Sequence, residues 1–115
     1  MSNPLFSIIT VTWNAQATIG RTMASVTEQS CTDYEHLIID GLSTDDTLKI
    51  VGAKGDKERV KVVSQKDTGI YDAMNKGIGL ARGQYLIFLN SGDCFHDKNT
   101  LATIAEAIKN PISRA

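Results

Sequence analysis

Phe6-Ser-Ile-Ile-Thr-Val-Thr12 is the stretch from which the fold can be read. Its β-branched residues make it a strand. The period then changes. Between Ala15 and Gln29, Ile19, Met23 and Val26 recur at helical spacing. Asn14 stands where its side-chain oxygen would cap that helix. A strand giving way to an amphipathic helix is the opening of a βαβ unit.

Further along the chain the same change repeats three times. Glu35 to Asp40 (EHLIID) reads as a second strand. Ser43 and Thr44, followed by Asp45 and Asp46, form a helix-start signal, with Leu48, Ile50 and Val51 on the apolar side. Arg59 to Ser64 (RVKVVS) is a third strand. Ile70, Met74, Ile78 and Ala81 mark one face of a third helix, with Gly83 as its C-terminal stop. Gln84 to Leu89 (QYLIFL) is a fourth strand, apolar enough to be covered on both faces. Leu101, Ile104 and Ile108 give a last helix, which Pro111 stops. The order βαβαβαβα predicts an α/β fold: a Rossmann-like parallel sheet, strand order 3-2-1-4, with right-handed crossovers and helices on both faces.

Composition agrees. The chain has 115 residues, 42% hydrophobic and 22% charged, which suits one globular domain spanning 1–115. A chain of this size buries roughly 65% of its unfolded surface. The net charge of −1 carries no Lys/Arg block and argues against a nucleic-acid partner. The longest apolar run, Tyr85 to Leu89, is far short of a membrane span. Met1 to Pro4 has no basic segment followed by an apolar one, so no secretory leader is expected. Two cysteines, Cys31 and Cys94, have neither metal-site spacing nor disulfide density, and a cytoplasmic location is the expectation.

In open α/β sheets, ligands bind beyond the carboxyl ends of the strands. Those ends carry Thr12-Trp13-Asn14, Asp40-Gly41 and Asn90-Ser91-Gly92-Asp93. With strand order 3-2-1-4, Asp40, Trp13 and Asp93 would rim one crevice. No glycine fingerprint follows the first strand, and no phosphate loop occurs. Gly77, Gly79 and Gly83 precede a strand, which suits close helix packing rather than pyrophosphate binding. Acids cannot hold a diphosphate directly. A divalent cation, Mg²⁺ or Mn²⁺, commonly joins carboxylates to phosphates.

These segments are familiar together. FSIITVTWN (6–14) resembles the opening strand of family 2 glycosyltransferases, and SVTEQ (25–29) their "S-V-x-x-Q". LIIDGLSTDDT (37–47) is similar to "VDDGSTDGT", and DTGIYDAMNKG (67–77) to "GGxxxARNxG". RGQYLIFLNSGD (82–93) resembles the segment carrying the DxD-type metal motif. The ordered set runs over roughly residues 6–97. The resemblance implies a GT-A fold, of which this chain looks like the nucleotide-binding half. It also implies transfer of a sugar from a nucleotide-diphosphate donor to an acceptor hydroxyl, with inversion.

By the same resemblance, Asp40 matches the acid that serves the base or ribose, and Asp93 the acid that binds the bridging cation. Trp13 replaces a tyrosine, Gly41 an acid, Met74 an arginine, and Asn90 and Gly92 two acids of the metal motif. The nucleotide-binding candidates are Thr12, Trp13, Asp40, Asp72, Lys76 and Ser91, and the metal candidate is Asp93. No catalytic base is assigned within the chain. A UDP-sugar is the preferred donor. The acceptor would be a glycan or a lipid-linked one met by peripheral docking at the inner membrane face. The edge of the fourth strand predicts homo-oligomers. Two alternatives are a nucleotide-binding module without catalysis and a nucleotidyltransferase. The latter lacks its glycine- and lysine-rich loop here.

Overall fold

A computed structural model describes residues 3–110. Four strands, β1 (Phe6–Thr12), β2 (Tyr34–Asp40), β3 (Val60–Ser64) and β4 (Tyr85–Phe88), alternate with four helices. These are α1 (Ile19–Thr27), α2 (Thr47–Lys54), α3 (Ile70–Leu80) and α4 (Thr100–Lys109). The sheet is parallel with order β3-β2-β1-β4, as expected from the alternation. Register pairs Thr12 with Asp40 and Asp40 with Ser64, so three strand ends lie level.

Side chains along β1 and β2 divide between two layers, as the pleat requires. Phe6 and Ile8 pack with Val26 of α1 and with Leu101 and Ala105 of α4. Ile38 packs with Ile19 and Met23 of α1 and Val51 of α2. On the opposite face, Ile9, Leu37 and Ile39 meet Ala73 of α3. Helices therefore cover both faces. Within this core His36 is fully buried, sharing a 2.7 Å hydrogen bond between its Nε2 and Thr10 Oγ1.

Several local expectations are corrected. Residues 15–18 form a turn, and α1 begins at Ile19 without a side-chain cap. Asn14 instead has φ 44 and accepts from the backbone N–H of Thr44. Ser43 and Thr44 stay in the loop, because Ser43 bonds to Asp40 and α2 starts only at Thr47. The inner face of α3 is Ala73 and Gly77, while Ile70 and Ile78 are exposed. At Gly77 a Cβ would fall 2.5 Å from Ile9 Cγ2, so the helix approaches the sheet through its smallest residues. Gly83 lies past the C-cap, Ala81, and presses on the backbone of Phe6 and Ser7. Among the described residues β4 is an edge strand, and Tyr85, Leu86 and Phe88 are exposed rather than covered on both sides. Pro111 lies outside the described residues.

Candidate functional site

Beyond the carboxyl ends of β1 and β4 a cleft of about 360 Å³ opens. Thr12 and Trp13 line it from the end of β1, Asn90 and Ser91 from the end of β4. Asp67, Gly69 and Ile70 close it from the loop entering α3. Trp13 is 65% exposed, so its ring stands in the cleft rather than in the core.

The neighbouring loops are tied together by side chains. Asn14 N–H donates to Ser43 Oγ (2.8 Å), and Ala15 N–H to Thr47 Oγ1 (2.8 Å). Ser91 Oγ donates to the Val11 carbonyl (3.1 Å), holding the end of β4 to β1. Helix α1 grips the loop after β4. Thr22 Oγ1 accepts from Gly92 N–H (2.8 Å), and Ser25 Oγ from Phe95 N–H (3.2 Å). Gln29 is buried, donating to the Asp97 carbonyl and accepting from Leu101 N–H. This explains the Ser-Val-x-x-Gln pattern: its polar residues shape the loop that carries Asp93. Gly92 turns that loop at φ 94, a conformation that residues with a Cβ rarely adopt.

Two oxygens in the cleft wall, Thr12 Oγ1 and Asn90 Oδ1, are buried without any hydrogen-bond partner. Leaving such an atom unpaired costs about 1–3 kcal/mol. Unpaired buried polar atoms are uncommon in folded proteins. Both belong to residues that line the cleft, whereas the third such atom, His36 Nδ1, lies in the core.

The sequence candidates separate. Thr12, Trp13 and Ser91 line the cleft. Asp40 does not rim it, because it is completely buried. Its carboxylate accepts from Ser43 N–H (2.9 Å), Ser43 Oγ (2.5 Å) and Ser64 Oγ (2.8 Å). Asp72 and Lys76 organise the loop before α3 instead of facing the cleft. Asp72 accepts from Thr68 N–H (3.0 Å), and Lys76 Nζ donates to the Lys66 carbonyl (2.8 Å). The Thr68 N–H and the Lys76 charge hold the Asp72 carboxyl below its ordinary range. Asp67 was not among the candidates. The signal for it was its place just past the third strand, at the same end of the sheet as the other strand-end acids.

Asp93 is not among the residues lining the cleft: it is exposed in the loop past Ser91, and its Oδ2 accepts from Asn90 N–H (3.2 Å). No cluster of three or more His, Cys, Asp or Glu occurs among the described residues. One carboxylate with an unpaired amide oxygen nearby, Asn90 Oδ1, fits a hard cation that completes its shell with water and phosphate oxygens. It does not make an all-protein cage.

A family model described as glycosyl transferase family 2 matches residues 7–113. The chain belongs to that family. A PGL/p-HBAD biosynthesis glycosyltransferase of Mycobacterium tuberculosis is 41% identical over 110 residues, covering 94% of this chain and 43% of the relative. A chondroitin synthase of Escherichia coli is 41% identical over 91 residues, covering 78% of this chain and 13% of that one. The chain thus spans less than half the length of these curated relatives.

Among solved structures, residues 1–349 of S. aureus TarS in complex with UDP-GlcNAc align with TM-score 0.84 and 30% identity. The match covers 95% of this chain and 31% of that one. A mannosyltransferase of Pyrobaculum calidifontis in complex with GDP-Man and Mn²⁺ shares the fold, with TM-score 0.81 and 21% identity over 96% of this chain and 34% of that one. The GT-A arrangement expected from the sequence is therefore the one observed. No helix among the described residues is long and apolar enough to cross a membrane.

Proposed function

We propose that this chain, as one nucleotide-binding domain, holds the donor of a family 2 glycosyltransferase, a nucleotide-diphosphate sugar. The observation that carries this is the cleft itself: an exposed indole and two unpaired oxygens at the strand ends, in a member of this family. Trp13 offers its ring face to a base. Thr12 Oγ1 is available to a ribose hydroxyl, and Ser91 fixes the wall that carries it.

In the reaction, an acceptor hydroxyl attacks the anomeric carbon as the nucleoside diphosphate departs. A divalent cation, Mn²⁺ or Mg²⁺, would be held by Asp93 with Asn90 and would neutralise charge on the leaving diphosphate. The role of Asp93 here is to fix that charge at the end of β4. The acceptor is a glycan or lipid-linked hydroxyl, reached from the cytoplasm and, when lipid-linked, by peripheral docking. The biosynthetic glycosyltransferases and the chondroitin synthase among the relatives support this class.

A thermal-shift panel of UDP, GDP, TDP and CMP, each with and without Mn²⁺, tests the reading. A ligand at 100 times its Kd stabilises by about 2.7 kcal/mol. A rise of several degrees with a nucleoside diphosphate plus Mn²⁺ is expected. No shift with any of them would overturn it.

A further inference from the structure

The cleft holds one carboxylate that the fold leaves available, and it is not the strand-end acid of β2. Asp40 is fully buried on Ser43 and Ser64, whereas Asp67 is half-buried and lines the cleft. The two positions are linked through Gly41. A Cβ placed on Gly41 would meet Asp67 Oδ2 at 3.0 Å and Trp13 Cδ1 at 3.5 Å. The absence of a side chain at position 41 is thus what lets the Asp67 carboxylate sit beside the indole.

One oxygen of Asp67 already has work. Its Oδ1 accepts from Gly69 N–H (3.2 Å), which fixes the rotamer. The loop itself is clamped from α3, by Asp72 on Thr68 N–H and by Lys76 on the Lys66 carbonyl. Oδ2 is therefore a fixed, negatively charged acceptor at the edge of an aromatic platform. Such an acceptor attracts a ring N–H and repels a ring nitrogen lone pair.

We infer that Asp67, through the space left by Gly41, selects a nucleobase presenting an imide N–H: Oδ2 accepts the N3–H of a uracil-type base lying against Trp13. One open oxygen matches one ring donor. Cytosine and adenine present an unprotonated ring nitrogen at the corresponding edge and are disfavoured. The inference rests on the nucleotide reading of the cleft and adds a specificity residue to it. Asp72 and Lys76 become positioning residues, acting through the loop they hold.

The test is equilibrium titration of the full chain with UDP and with CDP, both with Mn²⁺, followed by the fluorescence of Trp13, the single tryptophan. Wild type is expected to prefer UDP by tenfold or more, because a site built to accept a ring N–H is left unpaired by an analogue lacking it. Asp67→Asn can present either an acceptor or a donor, so the UDP/CDP ratio should fall towards one. Gly41→Ala should lower the ratio in the same direction by displacing Asp67, and it leaves Asp67 chemically intact. A wild type that binds UDP and keeps its preference in both variants would overturn the role of Asp67 alone. Equal affinity for UDP and CDP in wild type would overturn it as well. A wild type that binds neither nucleotide would overturn the nucleotide reading and this inference together.

Discussion

Asp40 ends β2 and Asp67 lies in the loop after β3, and burial divides their work. Asp40 gathers two serine hydroxyls and a backbone N–H at the level where β1, β2 and β3 end. Replacing it with Ala would empty a fully buried position and remove the acceptor of the part-buried hydrogen bonds that tie Ser43 and Ser64 to the end of β2. Asp40→Ala should cost about 2–4 kcal/mol in a denaturant titration, with or without nucleotide. A variant of normal stability that had lost nucleotide binding would return Asp40 to direct contact. His36 ties the stability of the fold to pH. Burial pushes its pKa from 6.5 down to about 3, so the folded chain holds it neutral. Between those values the unfolded chain binds a proton that the folded chain refuses. The stability tied to neutral His36 is complete above pH 6.5 and is lost as pH falls towards 3, at up to about 1.4 kcal/mol per pH unit. Glu35, whose carboxyl is lowered in balance, adds to this loss only below its ordinary value of 4.5. Burial raises it, but hydrogen bonds from Ser7, the Arg82 N–H and Lys61 outweigh that. Urea unfolding at pH 7, 6 and 5 should show the decline, and His36→Gln should flatten it. A wild type equally stable across that range would contradict the assignment.

At the scale of the element, α3 shows where apolar periodicity misleads. Ile70, Met74 and Ile78 recur at helical spacing, yet Ala73 and Gly77 face the sheet. Close approach outweighed side-chain size: with no Cβ at Gly77, Ile9 and Ile39 can come up against the helix backbone. Gly77 and Gly79 should therefore respond oppositely to Ala. Gly77→Ala overpacks against Ile9 Cγ2 and should destabilise by about 1–3 kcal/mol. A Cβ at Gly79 meets nothing within 4 Å, so Gly79→Ala should stabilise by about 0.5–1 kcal/mol. Thermal melts of the two variants check the pair, and equal shifts would mean that α3 packs through another face. The strands were more legible. The β-branched run of β1 and the apolar core of β2 admit one register, because a slip by one residue would turn Ile8 and Ile38 away from α1 and α4.

For the molecule as a whole, strand alternation was enough to place the cleft, since the carboxyl ends of a parallel sheet share one side. Thr12, Trp13 and Ser91 were legible for that reason. The burial of Asp40 was not, because it depends on Ser43 and Ser64, which reach it from a loop and from another strand. Nor was the place of Asp67, which a loop of no regular pattern carries to the indole. The exposed edge of β4 has its own consequence. Tyr85, Leu86 and Phe88 present apolar surface beside unpaired backbone, which favours association of copies at high concentration. Light scattering at millimolar concentration should show species larger than a monomer, and Phe88→Lys should shift the distribution back towards the monomer. A monodisperse wild-type monomer there would count against it. Donor binding through a cation at Asp93 is tested most directly by isothermal titration with UDP. Wild type and Asp93→Asn are compared, each with Mn²⁺ and with chelator. Mn²⁺ should strengthen UDP binding to wild type tenfold or more and have little effect on Asp93→Asn, whose metal-free affinity and melting temperature should match wild type. Equal Mn²⁺ dependence in both proteins would contradict the assignment of the cation to Asp93.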